Sequence, residues 1–77
     1  MSAIDRVCRI EQLATAPKKY RANWLPLAQR LAVQVRGEVE RLRIFAELRS
    51  GFVAEHCHSI ADHIENRLQR AMGKFKS

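Results

Sequence analysis

The sequence predicts an all-α protein, a short N-terminal helix followed by a long antiparallel helical hairpin, assembled as a dimeric bundle. Three observations point there. A seam of small and apolar residues at spacings of three and four runs from Ala28 to Phe75, as one-sided helices require. Its middle is broken by Ser50-Gly51, a turn signal that divides the seam into two stripes. The chain has only 77 residues, and one of this length hides about 60% of the surface its unfolded form exposes, a lone hairpin less. Something must complete the core. Two cysteines, Cys8 and Cys57, both inside predicted helices, are too few for a disulfide framework and suggest a reducing, cytoplasmic setting. Self-association into a homodimer is then the leading remedy.

Ser2 followed by Asp5 marks a helix start, with the acid where the helix dipole favours it. Ala3, Val7, Ile10 and Ala14 share one face, with Ile4, Cys8 and Leu13 beside it, so a first helix of about three turns is expected. Thr15-Ala16-Pro17 ends it or starts another, because proline is tolerated only in a first turn. Lys18 to Trp24 is the most basic and aromatic stretch and is expected as a connector closing an N-terminal part, 1–25, before a hairpin over 26–77. Asn23 is the expected N-cap of the long second helix, with Pro26 at its third position, where no intrahelical bond is lost. That helix runs to about Arg49 through Ala28, Ala32, Val35, Val39, Leu42 and Ala46. Gly37 inside it costs about 1 kcal/mol relative to alanine, which a close helix contact could offset. Helix three runs from near Phe52 to about Met72, its seam Val53, Cys57, Ile60, Ile64, Leu68, Ala71 and Phe75. Its acids come early and its bases late, in the order the macrodipole favours. The rival architecture is one long coiled-coil helix, since Ala46 and Val53 are seven apart and the stripe crosses Gly51 nearly in phase.

Chemistry has few places to reside. Nothing approaches the roughly 20 apolar residues of a membrane span, and the first residues lack a secretory signal's apolar core, so a soluble cytoplasmic protein is expected. Glu55 and His58 have the Glu-x-x-His spacing of dimetal bundles, and Asp62 and His63 follow. Such a site needs a second motif and two more inward carboxylates, and no second motif exists. Cys57 stands beside His56 and His58, but adjacent helical residues point about 100° apart, so neither imidazole readily activates the thiol. No phosphate loop, nucleophile elbow or zinc-finger spacing occurs. A non-enzymatic protein without metal or cofactor is expected.

Charge is more informative. Fourteen Lys and Arg against eight Asp and Glu give +6, with a sequence pI near 10.2, which suits a polyanionic partner. Residues 1–25 hold five bases and two acids, 26–50 five and three, and 51–77 four and three. Along helix two, Arg30, Gln34 and Arg41 form one strip and Arg36, Arg43 and Arg49 another, suited to the phosphates of a duplex. The competing explanation is a solvated face in which Glu38, Glu40 and Glu47 pair with these arginines. Tyr20 and Trp24, four apart among Lys18, Lys19 and Arg21, could stack on exposed bases or anchor a connecting helix on the bundle.

The segment Cys57-His58-Ser59-Ile60-Ala61-Asp62-His63, continuing through Glu65 and Met72 to Phe75, resembles the second helix of the Rop, or repressor of primer, family. The resemblance covers about 20 residues. It implies a helical hairpin that dimerises into a four-helix bundle and binds paired RNA loops to control plasmid copy number. The family's RNA-facing aromatic falls at Val33 here, the helix-two seam needs a one-residue shift, and about 20 residues are added at the N-terminus. Fold and dimerisation tolerate these departures; the RNA-binding residues are not carried across.

The expected function is thus a small basic nucleic-acid-binding regulator, RNA favoured over DNA, plasmid- or phage-encoded. Its candidate contacts are Lys18, Lys19, Tyr20, Arg21, Trp24, Arg30, Arg36, Arg41 and Arg43. The alternatives are a helical adaptor or inhibitor docking on a host protein, and a purely structural helical oligomer.

Overall fold

Ser2 opens the first helix with a complete capping box: its side chain accepts from the Asp5 N–H at 3.2 Å while the Asp5 carboxylate accepts from the Ser2 N–H at 3.3 Å. The computed structural model describes residues 2–76 and contains three helices, α1 (Ala3–Ala14), α2 (Lys18–Glu47) and α3 (Phe52–Lys74). Thr15 caps the end of α1, donating its hydroxyl to the Gln12 carbonyl at 2.6 Å. The chain then turns through Ala16-Pro17 directly into α2.

Two expectations about this region are corrected. Asn23 is not an N-cap, and there is no connector: α2 begins at Lys18, with Pro17 in the cap position, and the basic-aromatic stretch forms its first two turns. Pro17 suits a helix start because its fixed φ, here −52°, is already helical. Pro26 consequently lies inside the helix and has no N–H to give the Ala22 carbonyl. The helix continues because Pro26 and Ala22 are both exposed, so water can take that carbonyl.

Between α2 and α3 the chain reverses at Ser50-Gly51, as the hairpin reading requires, and the single long helix does not form. Gly51 has φ 67° and ψ −139°, a conformation that only glycine adopts without strain. The Glu55 N–H donates to the Gly51 carbonyl at 3.1 Å, starting α3.

The seam faces inward. Ala28, Ala32, Val35, Val39 and Ala46 of α2 meet Cys57, Ala61, Ile64, Leu68 and Ala71 of α3, and α1 adds Ala3, Val7, Ile10 and Ala14. Half of these fourteen are alanine, so the helices approach closely and the rod is thin, 47 × 17 × 16 Å between Cα extremes. In α3 the inward position belongs to Ala61, while Val53 and Ile60 stay substantially exposed. Gly37 does not sit at a close helix contact, since a Cβ there would meet nothing within 4 Å.

α1 is the third wall of the core. Arg6 pairs with Glu38 of α2, and the Arg67 guanidinium of α3 donates to Glu11 and to the Cys8 sulfur, the latter at 3.5 Å. These contacts fix α1 along the half of the hairpin remote from its turn. Twelve residues reach only about 18 Å, so the first turn of α1 stops at about the level of Glu38, with which Arg6 pairs, and the half toward Gly51 has two helices instead of three.

Candidate nucleic-acid interface

Folding the hairpin back brings residues 7–36 and 67–76 to one end of the rod and 37–66, with the first turn of α1 (2–6), to the other. The first group holds ten bases and one acid, a charge of +9; the second holds four bases and seven acids, a charge of −3. The overall +6 is therefore a strongly basic end and a mildly acidic tip.

The start of α2 stands at the basic end. Lys18, Lys19, Tyr20 and Trp24 are all exposed, and the Lys19 ammonium lies 5.0 Å from the centre of the Tyr20 ring, within cation–π range. Helical spacing sets Tyr20 and Trp24 about 40° apart on one side. Arg21 is turned inward: its Nε donates to the Ala16 carbonyl and its Nη1 to the Lys74 carbonyl, both at 3.0 Å. It ties the start of α2 to the end of α3, and so belongs to the frame that presents its neighbours.

The helix-two arginines divide. Arg30 and Arg41 are exposed on one strip, whereas Arg36 and Arg43 lie about 120° or more around the helix, so the four do not make one phosphate-facing surface. Arg43 is engaged within the chain, donating to Asp62 at 3.0 Å and Glu65 at 2.6 Å. Those two bonds, Asp62 first, raise its pKa above the ordinary guanidinium value. Arg41 stands in the acidic half. Glu38, expected to pair within helix two, instead takes Arg6 from α1.

His56 is exposed and stacks on Phe52 with ring centres 5.9 Å apart, His63 is exposed, His58 is half-buried, and Cys57 is buried between α2 and α3. Among the described residues no three His, Cys, Asp or Glu side chains gather as metal ligands, both cysteines are free thiols, and no helix is long and apolar enough to cross a membrane.

Sequence reasoning missed the bare tip. Of ten exposed large hydrophobic residues among the described ones, six lie between 44 and 60: Ile44, Phe45, Leu48, Phe52, Val53 and Ile60. Leu48 and Phe52 are 77% and 79% exposed. A groove of about 460 Å³ lies where α1 stops, lined by Ala3, Glu38, Arg41, Leu42, Phe45 and Ile64. The signal was available in the length of the first helix, which is too short for the hairpin it must cover.

The class the fold defines is a three-helix bundle made of a helical hairpin with one side half closed by an N-terminal helix. No family model, curated protein or solved structure matches the chain.

Proposed function

We propose that this protein is a non-enzymatic nucleic-acid-binding regulator that works as a homodimer and holds phosphates at its basic end, RNA being favoured over DNA. The segregation of charge, +9 against −3, carries this reading. Lys18, Lys19 and Arg30 supply exposed cations, and Tyr20 and Trp24 supply half-exposed rings beside them, the combination that unpaired bases in loops call for. Arg21 acts by positioning. Arg36 extends the basic half, while Arg41 and Arg43 contribute little, the first because it stands among acids and the second because Asp62 and Glu65 hold it.

Fluorescence anisotropy with hairpin and duplex RNA and DNA at two salt concentrations tests this. The expected result is binding that weakens steeply with salt. Replacing Lys18 and Lys19 by glutamine should lower the salt slope by about 2, whereas Arg41→Gln and Arg43→Gln leave it nearly unchanged. Tyr20→Ala with Trp24→Ala should cost more for unpaired than for paired RNA, at about 1–3 kcal/mol per stacked base. No binding even at low salt would sink the reading.

A further inference from the structure

We propose that the bare half of the α2–α3 groove is the seat of a second copy of this chain, docked antiparallel with tip over tip, so that the dimer carries its two basic ends at opposite poles and bridges two stretches of nucleic acid. The bridging role rests on the function proposed above; the seat does not.

Three features select the occupant. The first is geometry. α1 blocks the groove from Ala3 onward, and what remains, from the level of Glu38 to the turn, is about 16 Å long. An occupant of that length presenting apolar side chains on two helices is the tip itself, which offers Phe45, Val53 and Ile60. A two-fold interface needs such self-complementarity.

The second is charge in register. A two-fold axis crossing the rod at the level of Ile44 and Phe45 brings Arg49 of each copy level with residues 38–40 of the other. There stand Glu38 and, through the Arg6–Glu38 pair, the first turn of α1 with exposed Asp5. Arg49 already lies over the Phe45 ring, 4.7 Å from its centre, and so borders the groove. Each copy would contribute one such cation and receive one.

The third is charge at long range. Overlapping the tips keeps the two +9 ends as far apart as the rods allow, while each −3 half meets another across an apolar contact. Like charges repel less as salt screens them. Salt also weakens the Arg49 contacts, so dimerisation, resting on the apolar contact, should change little as salt rises, whereas nucleic-acid binding falls steeply.

The overlap is small, at the low end of interfaces that are stable in solution, so association on the order of micromolar is expected. Sedimentation equilibrium together with small-angle scattering of the full chain tests the seat. With a 47 Å rod and a 16 Å overlap, the dimer should be about 75–80 Å long. Phe45→Glu with Val53→Glu should shift association by at least tenfold with helix content unchanged by circular dichroism, both side chains being about half exposed. Arg49→Glu should weaken it by a smaller factor. A monomer up to about 200 µM, well above the expected range, overturns the proposal, as does a dimer no longer than one rod, 47 Å between Cα extremes, the length of two rods side by side.

Bridging is measured by capture of a fluorescent RNA hairpin on a biotinylated one. The wild type should bridge; the Phe45→Glu, Val53→Glu variant should bind but not bridge. An elongated dimer that binds no nucleic acid supports the seat and overturns the function proposed above. An elongated dimer that binds without bridging overturns the bridging role alone.

Discussion

The two halves of the rod are built from the same two helices and differ in one respect: α1 covers one and not the other. In the covered half, Val7, Ile10, Ala28, Ala32, Val35 and Leu68 are all at most 1% exposed. In the bare half, between residues 44 and 60, only Ala46 and Cys57 are buried, while Phe45, Leu48, Phe52 and Val53 remain in water. Two antiparallel helices can hide only the line of residues along which they touch; a third is needed to close the flanks. Alanine suffices on the line of contact because backbones approach there. Larger side chains stand at the flanks, where they are buried only if a neighbour arrives.

The contrast is broken most severely from the covered side. Ile10→Ala removes a fully buried side chain and should cost about 2–4 kcal/mol, against about 1 kcal/mol or less for Val53→Ala, both measured by urea denaturation. Equal costs at low micromolar protein would mean that the tip is already covered. Next is Gly51→Ala, which forces a side chain into a glycine-only conformation and should cost about 1–3 kcal/mol. Leu48→Lys and Phe52→Lys come lower, within about 0.5 kcal/mol of wild type, because both side chains stand largely in water and Phe52 loses only its exposed stack on His56. Smallest is Arg43→Met. Its pairs with Asp62 and Glu65 are exposed to solvent, so the unfolding midpoint should scarcely move, and any shift should vanish near 1 M salt, where the Debye length is about 3 Å.

The ion pairs also set what pH can do. Hydrogen bonds to Asp62 and Glu65 raise the pKa of Arg43, and bonds to Glu11 and then Cys8 raise that of Arg67. A raised folded pKa gives stability that is complete below the unfolded guanidinium value, itself far above neutral, and lost only as pH climbs through the folded one. Between pH 6 and 10, then, neither arginine contributes a pH-dependent loss of stability. A melting curve that fell across that window would have to be traced to another group.

Helix content, the hairpin and the inward seam were legible because each rests on local signals: three-four spacing, a capping residue, a glycine between stripes. The start of α2 was misjudged because two local signals competed. Asn23 with Pro26 has the form of a helix start, but so does Pro17, and Arg21 decides for the earlier one through bonds to Ala16 and to Lys74, 53 positions away. Nothing near Arg21 in the sequence announces that partner. The same holds for the helix-two arginines: their spacing is plain, yet whether Arg43 is free depends on Asp62 and Glu65 across the hairpin. Charge counted in consecutive thirds gave a gentle gradient. Counted by the ends that the turn brings together, it separates into +9 and −3.

The alanine core has a further consequence for stoichiometry. Because the helices pack so closely, the Cα cross-section is only 17 × 16 Å, about 25 Å once side chains are added. At 3.4 Å per base pair, an end of that width set against a duplex occludes about seven base pairs, and only a handful of the phosphates within them face it. On the nucleic-acid-binding role proposed above, titration of a long duplex should therefore saturate near one chain for every seven base pairs.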